Sequence, residues 1–197
     1  LIIWPESAIH TYLLQSGRKY LKIIQQKLGN NTSLLTGIPS SKFENNKRKI
    51  YNSIISINNR DVEGIYYKMQ LVPMAEYVPW SNVISLLGDF NLGQGNFSKG
   101  EEFVMFEKGG IQFGAVVCFE STFPSIFREF AVKGAEFMVV VTNDGWYETP
   151  PEPQQHAAQS IFRAIETRKP ILRCANTGIS MVIDPTGNIR KKLELNS

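Results

Sequence analysis

The sequence has 197 residues, 43% hydrophobic and 20% charged, with a formal net charge of +3 and two cysteines. That length and balance suit one domain with its own buried core and exclude disordered, collagen-like and disulfide-scaffold chains. A membrane-spanning helix needs about 20 nearly uninterrupted apolar residues, whereas the longest apolar stretches here, Phe137 to Val141 and Ala115 to Cys118, are strand-sized. The basic residues are spread out apart from Lys42, Lys47 to Lys49 and Arg190 to Lys192. This pattern argues against nucleic acid as a partner and leans toward anionic surfaces. Cys118 and Cys174 lack metal-site spacing, so no metal is expected.

Taken in chain order, Leu1 to Trp4 reads as a buried strand entered halfway and closed by Pro5. Leu13, Leu14, Leu21, Ile24 and Leu28 recur at helical spacing, which predicts a helix within Ile9 to Leu28 that stops at Gly29-Asn30. Leu34 to Ile38 reads as a strand ending at Pro39, followed by a polar loop from Ser40 to Lys47. Ile50 to Ile57 and Val62 to Tyr67 flank the turn residues Asn58 to Asp61 and predict a hairpin, with Lys68 at its end. Met69 to Asn96 is a long loop with a short helix near Asn82 to Leu87. Phe103 to Glu107 and Ile111 to Val117 form a second hairpin that runs into Cys118. A helix over Ser125 to Val132 ends at Gly134, and Phe137 to Thr142 reads as a strand buried on both faces. Gln154 to Arg168 is expected to be a core helix burying Ala157, Ala158, Ile161, Phe162 and Ile165. Strands over Ile171 to Ala175, Ser180 to Ile183 and Asn188 to Lys192 complete the chain, the last two joined by an Asp184-Pro185-Thr186-Gly187 turn. Strands and helices alternate, yet hairpins intrude, so the expected class is α/β: mixed sheets with helices packed outside.

Three apolar strands each deliver a reactive side chain to their end, where loops meet: Glu6, Lys68 and Cys118. An acid, a base and a nucleophile so placed form a catalytic set. An unperturbed thiol is only a few per cent ionised at neutral pH, so Cys118 needs a base, a cation or a helix N-terminus. The segment from Ser121 to Val132 is a candidate for the helix. Glu6 is the candidate general base, a role that burial favours for a carboxylate. Lys68 and the backbone N–H of Phe119 are the candidate oxyanion donors. The expected chemistry is acyl transfer through a thioester, with no cofactor. His10 and His156 are the candidates for a competing Cys–His pair; in papain-like sites, however, the cysteine opens a helix without a buried strand before it. Cys174 reads as core packing.

At these residues the chain resembles the carbon–nitrogen hydrolase (nitrilase) superfamily, and within it the apolipoprotein N-acyltransferase family. The segments that carry the resemblance are Trp4-Pro5-Glu6-Ser7-Ala8, Lys68 to Pro79, Val117-Cys118-Phe119-Glu120, Thr142 to Tyr147, and Arg173 to Ser180 with Ile183-Asp184-Pro185. Lys68 to Pro79 discriminates best, because generic amidases share the lysine but not the Leu-Val-Pro and Glu-Tyr-Val-Pro that follow. The resemblance implies an αββα sandwich, incomplete at both ends, as a partial catalytic domain over residues 1–197. It makes Glu6 the base, Lys68 the oxyanion cation and Cys118 the nucleophile. Glu76 would hold the lysine, Glu120 would stand behind the nucleophile, and Trp146 and Tyr147 would line the acyl site. It further implies a phospholipid acyl donor, an apolipoprotein acceptor, a membrane surface, and a full-length protein in the cell inner membrane with this domain facing the periplasm. Phe119 stands where that family commonly has tyrosine, and Met74-Ala75 where Phe-Gly is usual. The apolar residues of the long loop, Met74, Tyr77, Val78, Trp80, Val83, Ile84, Leu86 and Leu87, suggest a lid that dips into lipid. The alternative is a soluble amidase or nitrilase with the same triad and water as acceptor.

Overall fold

The computed structural model describes residues 1–44, 46–78, 96–145 and 151–193. Two mixed sheets form the framework. The first, in the order β1-β2-β3-β4, comprises β1 (Ile2–Ile3), β2 (Leu34–Glu44), β3 (Lys47–Ile57) and β4 (Val62–Tyr67). The second runs β10-β9-β8-β7-β6-β5, from β5 (Phe106–Lys108), β6 (Ile111–Val117), β7 (Phe137–Asn143), β8 (Ile171–Asn176), β9 (Ser180–Ile183) and β10 (Ile189–Leu193). The β6, β7 and β8 strands are parallel and their outer neighbours antiparallel. The expected mixture of parallel strands and hairpins is therefore present.

Alternation along the strands sorts side chains to two faces. On β3, Ile54 joins the larger core while Ile55 joins a smaller one. The larger core brings Leu35, Ile54 and Tyr66 of the first sheet together with Phe113, Val117, Met138 and Val140 of the second. Helix α1 (Arg18–Lys27) covers the smaller cluster through Leu21 and Ile24. Helices α2 (Pro124–Val132) and α3 (Glu152–Thr167) pack on the second sheet, adding Ile126, Phe127, Phe130, Ala157 and Ala164 to the larger core. The layers are thus helix, sheet, sheet, helix.

Four expectations need correction. Within Leu1 to Trp4 only Ile2–Ile3 form a strand, at a sheet edge, and Leu1, Ile2 and Trp4 are exposed rather than buried. The first helix begins only at Arg18, because Gly17 packs so closely that a Cβ there would lie 2.8 Å from the Leu13 Cα, and Tyr12 O already accepts the N–H groups of Gln15, Ser16 and Gly17 in a tight turn. Ser40 to Lys47 is no loop. The strands continue through Pro39 to Glu44 and pair residue by residue as far as Glu44 with Lys47. Pro39 is tolerated because its partner Asn52 turns its carbonyl the other way, to the Lys68 N–H at 2.9 Å. The outer hairpin buries almost nothing, with Phe43 79% exposed, so backbone pairing without hydrophobic alternation holds it and the pattern is invisible to periodicity. In α3 Ala157 is buried and Ile161 packs against the larger core as expected, but His156, Ser160 and Arg163 are buried beside them while Phe162 and Ile165 lie outside. Arg163 Nη1 donates to Thr122 O at 3.1 Å, so hydrogen bonding selects that face.

Candidate active site

The sheets place their reactive side chains at neighbouring strand ends. Glu6 follows β1, Lys68 follows β4, Cys118 follows β6 and Asn143 ends β7; all four line one cavity of about 460 Å³ with Asn52, Glu76 and Phe119. Tyr12, Pro39, Ile50, Val72, Ala75 and Phe97 supply much of its apolar wall. The expected acid, base and nucleophile are therefore brought together, joined by Glu76 and Phe119.

Glu6 enters this group because Gly37 lets the chain pass closely: a Cβ at Gly37 would lie 2.6 Å from the Glu6 Cα. Its carboxylate is buried and held at both oxygens, by Asn52 Nδ2 at 2.7 Å and by the Asn143 N–H at 2.9 Å. Asn52 Nδ2 also donates to Glu76 Oε1 at 2.9 Å, and Lys68 Nζ donates to the same oxygen at 2.8 Å. The other Glu76 oxygen accepts the Val72 N–H at 2.8 Å. Lys68 is 1% exposed. Burial alone would lower its pKa, but the charges of Glu6, Cys118 and Glu76 and the Glu76 hydrogen bond outweigh it and hold the ammonium above its ordinary range.

Cys118 sits at φ +50°, in the left-handed region that residues other than glycine rarely adopt. The following residues form a short 3-10 turn, Cys118–Thr122, before α2 starts at Pro124. The helix expected from Ser121 thus begins only at Pro124, after a separate turn. Burial and the Glu6 carboxylate push the Cys118 thiol up to about 12, against the lowering pull of Lys68 and a Thr142 hydrogen bond. At that value the resting sulfur is essentially all S–H at neutral pH, so an adjacent base must take its proton during attack. Close to Cys118 in the chain, Glu120 is fully buried; it accepts from Tyr66 OH at 2.8 Å, Met69 N at 2.7 Å, Gln70 N at 3.1 Å and Val117 N at 2.8 Å. Burial raises its pKa and these donors oppose the rise. It staples the segment after Lys68 to the segment before Cys118.

Among the histidines, His10 lines the cavity on its exposed side, and His156 Nε2 lies 3.2 Å from the Cys118 carbonyl oxygen. Both cysteines are free, and Cys174 Sγ donates to Ile3 O at 3.4 Å. Trp146, Tyr147 and the loop residues 79–95, with the short helix and much of the lid expected there, lie outside the described residues. Asn52, Tyr66, Asn143 and Arg173 were not assigned roles from the sequence. Asn52 carries the clearest signal, the one amide in the isoleucine-rich run Ile50 to Ile57.

The sequence matches the carbon–nitrogen hydrolase family over residues 1–197. The chain belongs to that family. It is 35% identical to a protein named apolipoprotein N-acyltransferase from Geobacter metallireducens over 96% of this chain and 37% of the relative. A second protein of that name, from Allorhizobium ampelinum, is 36% identical over 100% of this chain and 38% of its own length. The chain therefore spans little more than a third of these curated relatives. An amidase from Nesterenkonia sp. AN1, solved with acrylamide added at its active-site cysteine, superposes with a TM-score of 0.66 at 19% identity, covering 98% of this chain and 75% of that one. That likeness shows a shared fold. Among the described residues, no helix is long and apolar enough to cross a membrane.

Proposed function

We propose that this chain is the catalytic portion of an apolipoprotein N-acyltransferase. It takes an acyl chain from a phospholipid onto Cys118 as a thioester and passes it to the α-amino group of a diacylglyceryl-modified N-terminal cysteine of an apolipoprotein. The observation that carries this reading is the convergence of Glu6, Lys68, Cys118 and Glu76 on one cavity with an apolar wall, in a chain whose curated relatives bear that name over nearly all of its length.

In the first half-reaction Glu6 takes the Cys118 proton as sulfur attacks the donor ester carbonyl. The oxyanion is met by Lys68 Nζ and the Phe119 N–H. Collapse breaks the ester C–O bond, and Glu6 returns the proton to the departing lysophospholipid oxygen. In the second, the amine attacks the thioester carbonyl and gives its proton to Glu6; the C–S bond breaks and the sulfur regains a proton from Glu6. No metal or organic cofactor enters these steps. Excluding water favours the amine over hydrolysis.

In this reading the full-length protein lies in the cell inner membrane with this domain facing the periplasm, where the membrane surface supplies the donor. The test is incubation of the full-length protein with a phospholipid carrying a labelled acyl chain, followed by a diacylglyceryl lipopeptide. Hydroxylamine-sensitive label on Cys118 that moves to the peptide amine is expected. Release of free fatty acid, or of ammonia from small amides, with no lipopeptide acylation would favour the soluble hydrolase and overturn the proposal.

A further inference from the structure

Adjoining Cys118, outside the cavity lining, lies a second polar cluster for which the reaction steps above have no use. Asp144 is 1% exposed; its Oδ1 is 2.9 Å from His156 Nδ1 and accepts from Thr142 Oγ1 at 2.9 Å, while Arg173 Nη2 donates to its Oδ2 at 2.8 Å. Acceptors face both ring nitrogens, the Asp144 carboxylate at Nδ1 and the Cys118 carbonyl at Nε2, so His156 holds both only as a donor at each nitrogen; Arg173 Nη2 also lies 3.1 Å from Nδ1. The opposite ring nitrogen, Nε2, lies 3.0 Å from Ser121 Oγ and 3.2 Å from the Cys118 carbonyl oxygen. Thr142 reaches the other end of the same residue. Val117 pairs with Val141 across the parallel ladder, which sets Thr142 beside Cys118, and its hydroxyl also hydrogen-bonds the thiol. Thr142, Asp144, His156 and Arg173 are all buried. The loop after β8 closes over them at Gly178, where any Cβ would run into the Asp144 carboxylate.

A buried cluster of this kind is a poor device for stability, since apolar side chains of the same volume often do as well or better. What it adds is direction. Cys118 holds a left-handed backbone conformation that persists only where the surroundings over-determine it. We infer that Thr142, Asp144 and His156 form a clamp that fixes Cys118 at both ends, its carbonyl through His156 and its thiol through Thr142, with Asp144 as the hub. They are positioning residues for the nucleophile. The inference rests on Cys118 being the nucleophile of the proposed reaction, but its geometry can be tested without any acyl donor.

The test is the rate at which iodoacetamide alkylates Cys118 in the intact protein, followed by mass spectrometry, with Cys174 as internal reference and melting temperature measured for each variant. Thr142→Val removes the hydroxyl at constant shape and Thr142→Ser restores it. His156→Ala removes the ring, and His156→Gln restores a donor near the Nε2 position. We expect Thr142→Val and His156→Ala each to slow Cys118 alkylation by about tenfold, and Thr142→Ser and His156→Gln to recover most of it, with Cys174 unchanged. Should His156→Ala fail to fold, the Thr142 pair decides. The clamp is overturned if Thr142→Val is alkylated at the wild-type rate, or if Cys118 and Cys174 change together in proportion to the loss of melting temperature. A normal alkylation pattern in a protein that transfers no acyl chain would refute the acyltransferase reading and leave the clamp standing.

Discussion

Two clusters of buried charge adjoin Cys118, and they are built differently. The cluster of Glu6, Asn52, Glu76 and Lys68 lines the cavity and sets two carboxylates against one ammonium. The cluster of Asp144, His156 and Arg173 is sealed and sets its carboxylate against a guanidinium that cannot deprotonate. The first has a carboxylate in excess facing the ligand space, as a proton acceptor requires. The second has none to spare, as a fixed support requires. Proximity to the nucleophile is common to both; access to the cavity separates them.

The sharpest way to break this contrast is at the nucleophile itself: Cys118→Ala should abolish acyl-thioester formation, read by intact-protein mass spectrometry. In Glu6→Gln the side chain keeps its shape and an acceptor oxygen but loses the base. Turnover should fall by about 10²–10⁴-fold, with a far smaller loss of stability from the one donor, Asn52 Nδ2 or the Asn143 N–H, left facing the new amide. Near-normal turnover would make Glu6 a structural group and erase the distinction. On the sealed side the loss should appear as stability. Arg173→Met leaves Asp144 without its cation and should cost about 3–5 kcal/mol in urea unfolding.

Titration separates the two clusters by sign. The Cys118 thiol, at about 12 when folded, keeps its proton above its ordinary 9.0, so the unfolded chain binds fewer protons there and stability falls as pH rises from about 9 toward 12. Lys68, raised above its ordinary 10.5, acts in the same direction from that pH upward. Cys118→Ala should therefore flatten the alkaline decline in melting temperature that begins near pH 9. Asp144 is held below its ordinary 3.8: burial opposes this, but the His156 hydrogen bond and the Arg173 charge prevail. Its contribution is present above pH 3.8 and is lost as pH falls through the lower folded value, so Arg173→Met should weaken this acid-side dependence. The smallest effect belongs to the outer hairpin, where Phe43→Ala should shift unfolding by no more than about 0.5 kcal/mol.

Legibility in the sequence followed burial chemistry. Phe137 to Asn143 is apolar along nearly its whole length because both faces of β7 are covered, and such a run has one good reading. Glu6, Lys68 and Cys118 were legible because each interrupts or closes an apolar strand. The outer half of the β2–β3 hairpin was not, since a ladder whose side chains are mostly exposed and polar imposes no hydrophobic alternation. The α3 face was legible only in part. Ala157 and Ile161 face the core as their apolarity suggests, but polar His156, Ser160 and Arg163 are buried with them and apolar Phe162 and Ile165 lie outward.

From the sequence alone came the strand ends, the reactive side chains they carry and the family to which those motifs belong, because each depends on neighbours in the chain. The tertiary structure decided which partners those groups meet: that Asn52, 46 positions away, grips Glu6; that Lys68 is held charged by carboxylates from separate segments; and that His156 supports the Cys118 carbonyl. Electrostatics between groups far apart in sequence depends on distance and burial, and only the packed sheets set those.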